Sequence, residues 1–298
     1  MDPLIVGFGL GVGVLIGLTG VGGGSLMTPL LLIAGGYSPV VTIGTDLAYG
    51  AITKTVGGWR HLRAGHVDLR LSWWLAAGSM PGSILGVITL NWLDAEYGDD
   101  FKPALLATIS VALFLASGAI LYRALFRPGL VAKEREAAVL QRRISKFGTV
   151  AIGATLGFVL GLTSVGSGAL IGLVLILLYK LSPRRVVGTD VFHAAVLLWT
   201  AGLAHFVSGN VDLGLMGTIL VGSLPGVWLG TWLVPYVPVV GLRYGLGIVL
   251  CAAALGVLSK AGVDVHPGVI VGVPAALAVL SWVVHRRHPV PIAESAPL

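Results

Sequence analysis

Hydrophobic residues along the chain gather into long runs separated by short polar or glycine-rich breaks. The runs fall at about 4–18, 25–36, 41–58, 71–92 and 104–126, then at 147–162, 168–180, 186–207, 213–235 and 241–259, with a last one at 269–284. Most are long enough to cross roughly 30 Å of hydrocarbon, which takes about 20 apolar residues at 1.5 Å each. The first two, Leu4–Leu18 and Ser25–Ala34, are shorter, about 15 and 10 residues, and the cluster Leu18-Thr-Gly-Val-Gly-Gly-Gly24 lies between them. Adjacent glycines hold a helix poorly. The pattern therefore predicts two short helices meeting at a break inside the membrane. Unpaired backbone is tolerated at that depth only where protein buries it or a cavity borders it.

The break recurs. Leu162-Thr-Ser-Val-Gly-Ser-Gly168 lies 144 residues further on, and the same offset relates much of the two halves. Gly9, Gly13 and Gly17 fall on Gly153, Gly157 and Gly161, and Ser38-Pro39 falls on Ser182-Pro183. Gly44-Thr45-Asp46 matches Gly188-Thr189-Asp190, Val67-Asp68-Leu69 matches Val211-Asp212-Leu213, and Pro81-Gly82 matches Pro225-Gly226. The expected organisation is a first repeat over 1–126, a linker over 127–146 and a second repeat over 147–260. A C-terminal helix with a mobile tail follows over 261–298.

Composition and charge add class and orientation. With 56% hydrophobic and 11% charged residues, the 298-residue chain is a polytopic membrane protein and not a soluble domain. Its net charge of +6 reports topology, not nucleic-acid binding, because the basic residues sit in the connections. With the basic linker in the cytoplasm, Arg60, Arg63 and Arg70 fall inside and the acidic loop Asp94–Asp100 outside. Ser38-Pro39 is then external and Ser182-Pro183 internal, and the C-terminus is cytoplasmic. The expected fold is all-α: two inverted repeats of five segments, broken short helices at a midplane site, and an extra C-terminal helix. That is an architecture of secondary transporters.

The ordered duplication of the Gly-x-Gly-Gly-Gly break, its weaker copy and the Gly-Thr-Asp pairs resembles the TauE/SafE family of sulfite exporters over roughly residues 4–285. The resemblance implies export of sulfite or a related sulfur-containing anion across the bacterial inner membrane. The breaks are not identical: Gly20, Gly23 and Pro29 face Ser164, Ser167 and Leu173, so two unequal half-sites are expected.

The candidate anion-lining residues are Thr19, Gly22, Gly23, Gly24 and Ser25 in the first break, and Thr163, Gly166, Ser167 and Gly168 in the second. Free amides at the start of a helix, together with hydroxyls, suit an anion. Ser164 adds another hydroxyl. Gly9, Gly13, Gly17 and their matches read instead as helix-packing points. Asp46 and Asp190 lie inside apolar runs, where an unpaired charge costs about 3 kcal/mol. Each is either a cap that accepts hydrogen bonds from a break or a protonatable group coupling anion movement to protons. Thr45 and Thr189 are expected to support the break. Lys54 reads as a snorkelling side chain, or less strongly as an electrostatic lure, and His61 and His205 as interfacial. Asp68 and Asp212 read as N-caps, and Cys251 as packing.

No cofactor or metal site is expected. The partners are a small oxyanion (sulfite or an organosulfonate), the lipid bilayer and, as an open option, a second copy of the chain. Nothing resembles the phosphate-binding loop of an ATPase, so the driving force must be the anion gradient, the membrane potential or protons. An anion channel is one alternative. An intramembrane enzyme, with Ser25 or Ser167 beside His193, is another, and it lacks any nucleophile-elbow motif.

Overall fold

The computed structural model describes residues 2–19, 23–126, 145–179, 181, 183–233, 236–237 and 239–287. Gly22, Lys180, Ser182, nearly all of the linker and the tail beyond 287 lie outside the described residues. Within them the chain is all-α, with helices on the expected runs. They are α1 Pro3–Thr19, α2 Gly24–Leu30, α3 Pro39–Arg63, α4 Leu69–Tyr97 and α5 Lys102–Phe126. There follow α6 Lys146–Thr163, α7 Leu170–Tyr179, α8 Pro183–Val207, α9 Leu213–Leu233, α10 Val239–Lys260 and α11 Pro267–Arg287. Five helical stretches, the first running through α4 and α5, are long and apolar enough to cross a membrane.

Helix α2 is shorter than its hydrophobic run because Pro29 sits within it. Proline has no N–H to return to the Ser25 carbonyl. In the second repeat Leu173 donates to the matching Ala169 carbonyl at 3.1 Å. Beyond Pro29 the chain widens into a π turn over Leu31–Gly35 and stops at Gly36, whose φ is +66°. Lys260 of α10 covers the exposed end by donating to the Leu32 and Ile33 carbonyls at 2.7 and 3.2 Å.

Small residues decide which helices meet. Gly9, Gly13 and Gly17 of α1 lie against the backbone around Ile219, Ser223 and Val227 of α9, whose Gly222, Gly226 and Gly230 return the contact on Val6, Leu10 and Val14. The pair runs parallel. Gly153, Gly157 and Gly161 of α6 stack in the same way against α4 at Leu75, Ser79 and Ser83. The four-residue spacing puts one glycine per turn on each face, and the missing Cβ atoms let the backbones touch. Gly9→Val would drive a side chain into the Ile219 carbonyl, 2.5 Å from the Cβ position. It is expected to cut the yield of folded protein severely in size-exclusion chromatography, and a wild-type yield would refute this packing role.

The other main contacts join helices that occupy the same place in each half. On α3 and α8, Ala48 meets Gly202, Gly50 meets Leu198 and Gly58 meets Phe192, so the two helices are antiparallel. Helices α5 and α10 are antiparallel too: Ser110 donates to the Ala254 carbonyl and Ser117 to that of Gly247. Large apolar side chains on the perimeter, including Ile88 and Trp92 of α4 and Trp228 and Trp232 of α9, are exposed, and they form the lipid-facing surface.

Candidate functional site

The Gly-Thr-Asp triplets explain themselves residue by residue. Gly44 lets the backbone of Asn210 approach α3, and Gly188 does the same for His66 at α8. Thr45 accepts a hydrogen bond from the Asp212 amide at 3.0 Å, and Thr189 one from the Asp68 amide at 2.9 Å. Asp212 and Asp68 in turn cap α9 and α4 through the amides of Leu215 and Leu71. Thr45 and Thr189 thus brace the helix starts of the opposite half. The third position, Asp46 or Asp190, is buried in the interior.

Asp46 draws both breaks together. Its Oδ2 accepts hydrogen bonds from Thr28 of α2 at 2.6 Å and from Ser164, just after α6, at 2.5 Å. Ser164 adopts a left-handed backbone, φ +60°, which ends α6 and turns the chain toward Asp46. Gly24 lies against the Ser164 carbonyl, 2.6 Å from where its Cβ would stand. The two breaks, far apart in sequence, therefore meet at a single carboxylate. Its other oxygen, Oδ1, is buried with no hydrogen-bond partner among the described residues, and so are the Ser25 hydroxyl and the Tyr49 hydroxyl. Tyr49 stands one turn along α3 from Asp46.

The predicted lining residues differ in what they leave free. Thr163 is committed locally: its hydroxyl donates to the Val159 carbonyl at 2.7 Å and accepts from the Val165 amide at 3.2 Å. Thr19 donates to the Leu15 carbonyl at 2.6 Å. Ser167 is buried, and Gly166 and Gly168 take φ values of +132° and +93°, which favour glycine. The space before Gly23 is filled, because a Cβ there would collide with the Tyr49 hydroxyl and with Ile16. Gly22 is not among the described residues.

Three expectations are corrected. Lys54 does not snorkel: it is 4% exposed, because Gly50 and Gly58, one turn to either side, bring α8 onto its face. His205 is fully buried, with Nε2 3.0 Å from the Gly161 carbonyl and Nδ1 3.1 Å from Asn210, so it is no interfacial residue. His193 pairs with neither Ser25 nor Ser167; its Nε2 is 3.2 Å from the Ser79 hydroxyl. Thr28, Tyr49 and Ser79 are polar residues of the interior that sequence reasoning passed over. Tyr49 could have been found, since it occupies the position that His193 holds in the second half.

A multi-pass helical protein with an apolar perimeter and a buried polar centre built from helix breaks has the form of a membrane transporter. The chain belongs to the TauE/SafE sulfite exporter family, whose model matches residues 5–257. It is 36% identical to the probable membrane transporter protein YjnA of Bacillus subtilis over 235 residues, covering 79% of this chain and 91% of that protein. A second B. subtilis relative, the probable membrane transporter protein YdhB, is 25% identical over 82% of this chain and 95% of its own length. More distantly, undecaprenyl-diphosphatase 2 of Chromobacterium violaceum is 29% identical over 59% of this chain and 62% of that protein. No solved structure matches significantly.

Proposed function

We propose that this protein is a secondary transporter that exports a small sulfur oxyanion, sulfite or an organosulfonate, across the bacterial inner membrane. The observation that carries the reading is the convergence of both helix breaks on Asp46. Two discontinuous helices meeting inside a helical membrane protein are how transporters build a central substrate site. The antiparallel packing of α3 on α8 and of α5 on α10 supports inverted repeats over 1–126 and 147–260. Helices matched by the internal offset run in opposite directions, and the charge of the connections favours a cytoplasmic C-terminus.

The anion rests against the amides of Gly23 and Gly24 and the amide and hydroxyl of Ser25 on one side, and against Gly166, Ser167 and Gly168 on the other, while Thr163, committed to Val159 and Val165, holds the second break in shape. Thr19 ends α1 at the first break, with its hydroxyl turned back to the Leu15 carbonyl. The free Ser25 hydroxyl is the best-placed neutral donor of the set. Asp46 and Asp190 are the coupling groups. A carboxylate beside an anion repels it until protonated, so proton and anion occupancy favour each other. Purified protein in proteoliposomes should move sulfite, with inhibition by a competing organosulfonate, and a membrane potential positive on the side of exit should drive it. A channel would show flux without saturation or counterflow. Proteoliposomes that move neither sulfite nor an organosulfonate would reject the reading.

Inverted repeats have their own test. In a Cys251→Ala background, cysteines placed at Ser38 and Ser182 should react with an impermeant maleimide from opposite faces of oriented vesicles. Labelling of both from one face would overturn the inversion.

A further inference from the structure

Lys54 lies on the α3 face that meets α8, between Gly50, which touches Leu198, and Gly58, which touches Phe192 and Ala195. Its ammonium is buried and makes no hydrogen bond among the described residues. Three donors are thus left without acceptors in the interior, where each unmade bond is costly. Gly57 and Gly58 on the same side of α3 touch Val191, Phe192 and Ala195, so the stretch of α8 that carries Asp190 and His193, one turn apart, packs against the turn that carries Lys54. From α4, the Ser79 hydroxyl reaches His193 at 3.2 Å. Helices α3, α4 and α8 therefore contribute to one buried cluster that holds a lysine, a carboxylate, an imidazole and a hydroxyl.

The internal repeat does not duplicate the cluster. The position matched to Lys54 in the second half is Leu198, and that matched to His193 is Tyr49. Asp46 and Asp190 are equivalent by sequence, but only Asp190 has a lysine on the facing helix: Asp46 accepts the hydroxyls of Thr28 and Ser164, and the position matched to Lys54 is a leucine. A carboxylate in electrostatic range offsets the lysine charge but leaves its donors unfilled. An anion with three oxygens does both, and it can also take the one donor that the Ser79–His193 bond leaves over, the Ser79 hydroxyl or the imidazole N–H, according to the tautomer.

Resting on the oxyanion reading above, we infer that Lys54 is the charged element of an oxyanion subsite and Asp190 its internal competitor, which the arriving anion displaces. Such competition keeps the lysine from holding the anion too tightly for release. It also makes a counter-intuitive demand: deleting a negative charge that balances the cation must strengthen anion binding.

The experiment is isothermal titration of the purified full-length chain with sodium sulfite, sodium sulfate and sodium isethionate at constant ionic strength. Asp190→Asn is expected to lower the sulfite Kd by about tenfold or more, the scale of one charge-assisted interaction. Lys54→Gln should raise it by about as much, and Lys54→Arg, which keeps the charge but not the shape, should bind more tightly than Lys54→Gln. Asp190→Ser is the second variant should the first fail to insert, and size-exclusion profiles establish that each protein is folded. A folded Asp190 variant with an unchanged or higher Kd beside a binding wild type overturns this inference alone. Failure of wild type and variants to bind all three anions overturns the oxyanion reading as well.

Discussion

Asp46→Asn is expected to leave the protein folded while erasing the response of transport to an imposed pH gradient. The carboxylate accepts Thr28 and Ser164 on one oxygen and has no partner among the described residues on the other. An asparagine carbonyl can keep both hydroxyl bonds, with its amide where the unpartnered oxygen now lies. The variant therefore copies the shape of the protonated side chain and removes only the ability to lose the proton. Sulfite flux in proteoliposomes should then be equal with and without a pH gradient. An unchanged gradient response would return Asp46 to a purely structural role as the tie between the two breaks. That tie has its own signature. Ser164→Ala removes one donor from a buried carboxylate, a loss of about 1.5–3 kcal/mol. It should lower the melting temperature of the detergent-solubilised protein, whereas Asp46→Asn should not lower it to the same extent.

The helices were readable because each is a continuous apolar run, and the breaks because clustered glycines interrupt two of them. The partners of Asp46 were not readable. Thr28 is 18 residues away and Ser164 is 118 residues away, and no local pattern reports a contact over that distance. The internal repeat points the wrong way here. The positions matched to Thr28 and Ser164 are Gly172 and Gly20, so the hydroxyl pair has no echo from which its use could be inferred. Lys54 was misread for a related reason. Its nearness to Arg60 and Arg63 suggests a helix end, and only the arrival of α8 over Gly50 and Gly58 encloses it. His205 likewise lies close to the end of α8, yet a carbonyl of α6 and Asn210 close over it.

The repeat was informative where it carried backbone contacts. Glycines that permit helix approach must occur on both members of a pair, so α1 with α9 and α6 with α4 show the same four-residue spacing in all four helices. Side chains in the interior are under no such demand. Lys54 against Leu198 and His193 against Tyr49 show that the two halves share a scaffold and divide the chemistry. An exact two-fold would duplicate the cation, and two lysines beside one small anion would repel each other and bind it too firmly to let it go.

Gly24→Val is expected to abolish both sulfite binding and sulfite transport. The Cβ of any side chain at Gly24 would stand 2.6 Å from the Ser164 carbonyl, 2.9 Å from its hydroxyl and 3.1 Å from Asp46 Oδ2. The first of these is backbone and cannot rotate away, so the two breaks must separate and the Ser164–Asp46 bond must lengthen. Overpacking of this kind costs about 1–3 kcal/mol. Because the strain falls on the two breaks and leaves the glycine faces of α1/α9 and α4/α6 intact, the protein should still insert and migrate as a single species. Gly23→Val meets the Tyr49 hydroxyl and Ile16 instead, which are side chains that can shift, and it should weaken binding less. Gly7 and Gly11, with nothing within 4 Å of a Cβ, supply the control, since valine there should leave flux and affinity at wild-type values. A folded Gly24→Val protein that binds sulfite as wild type does would mean the anion does not rest between the breaks. The Lys54 cluster would then have to carry the anion alone.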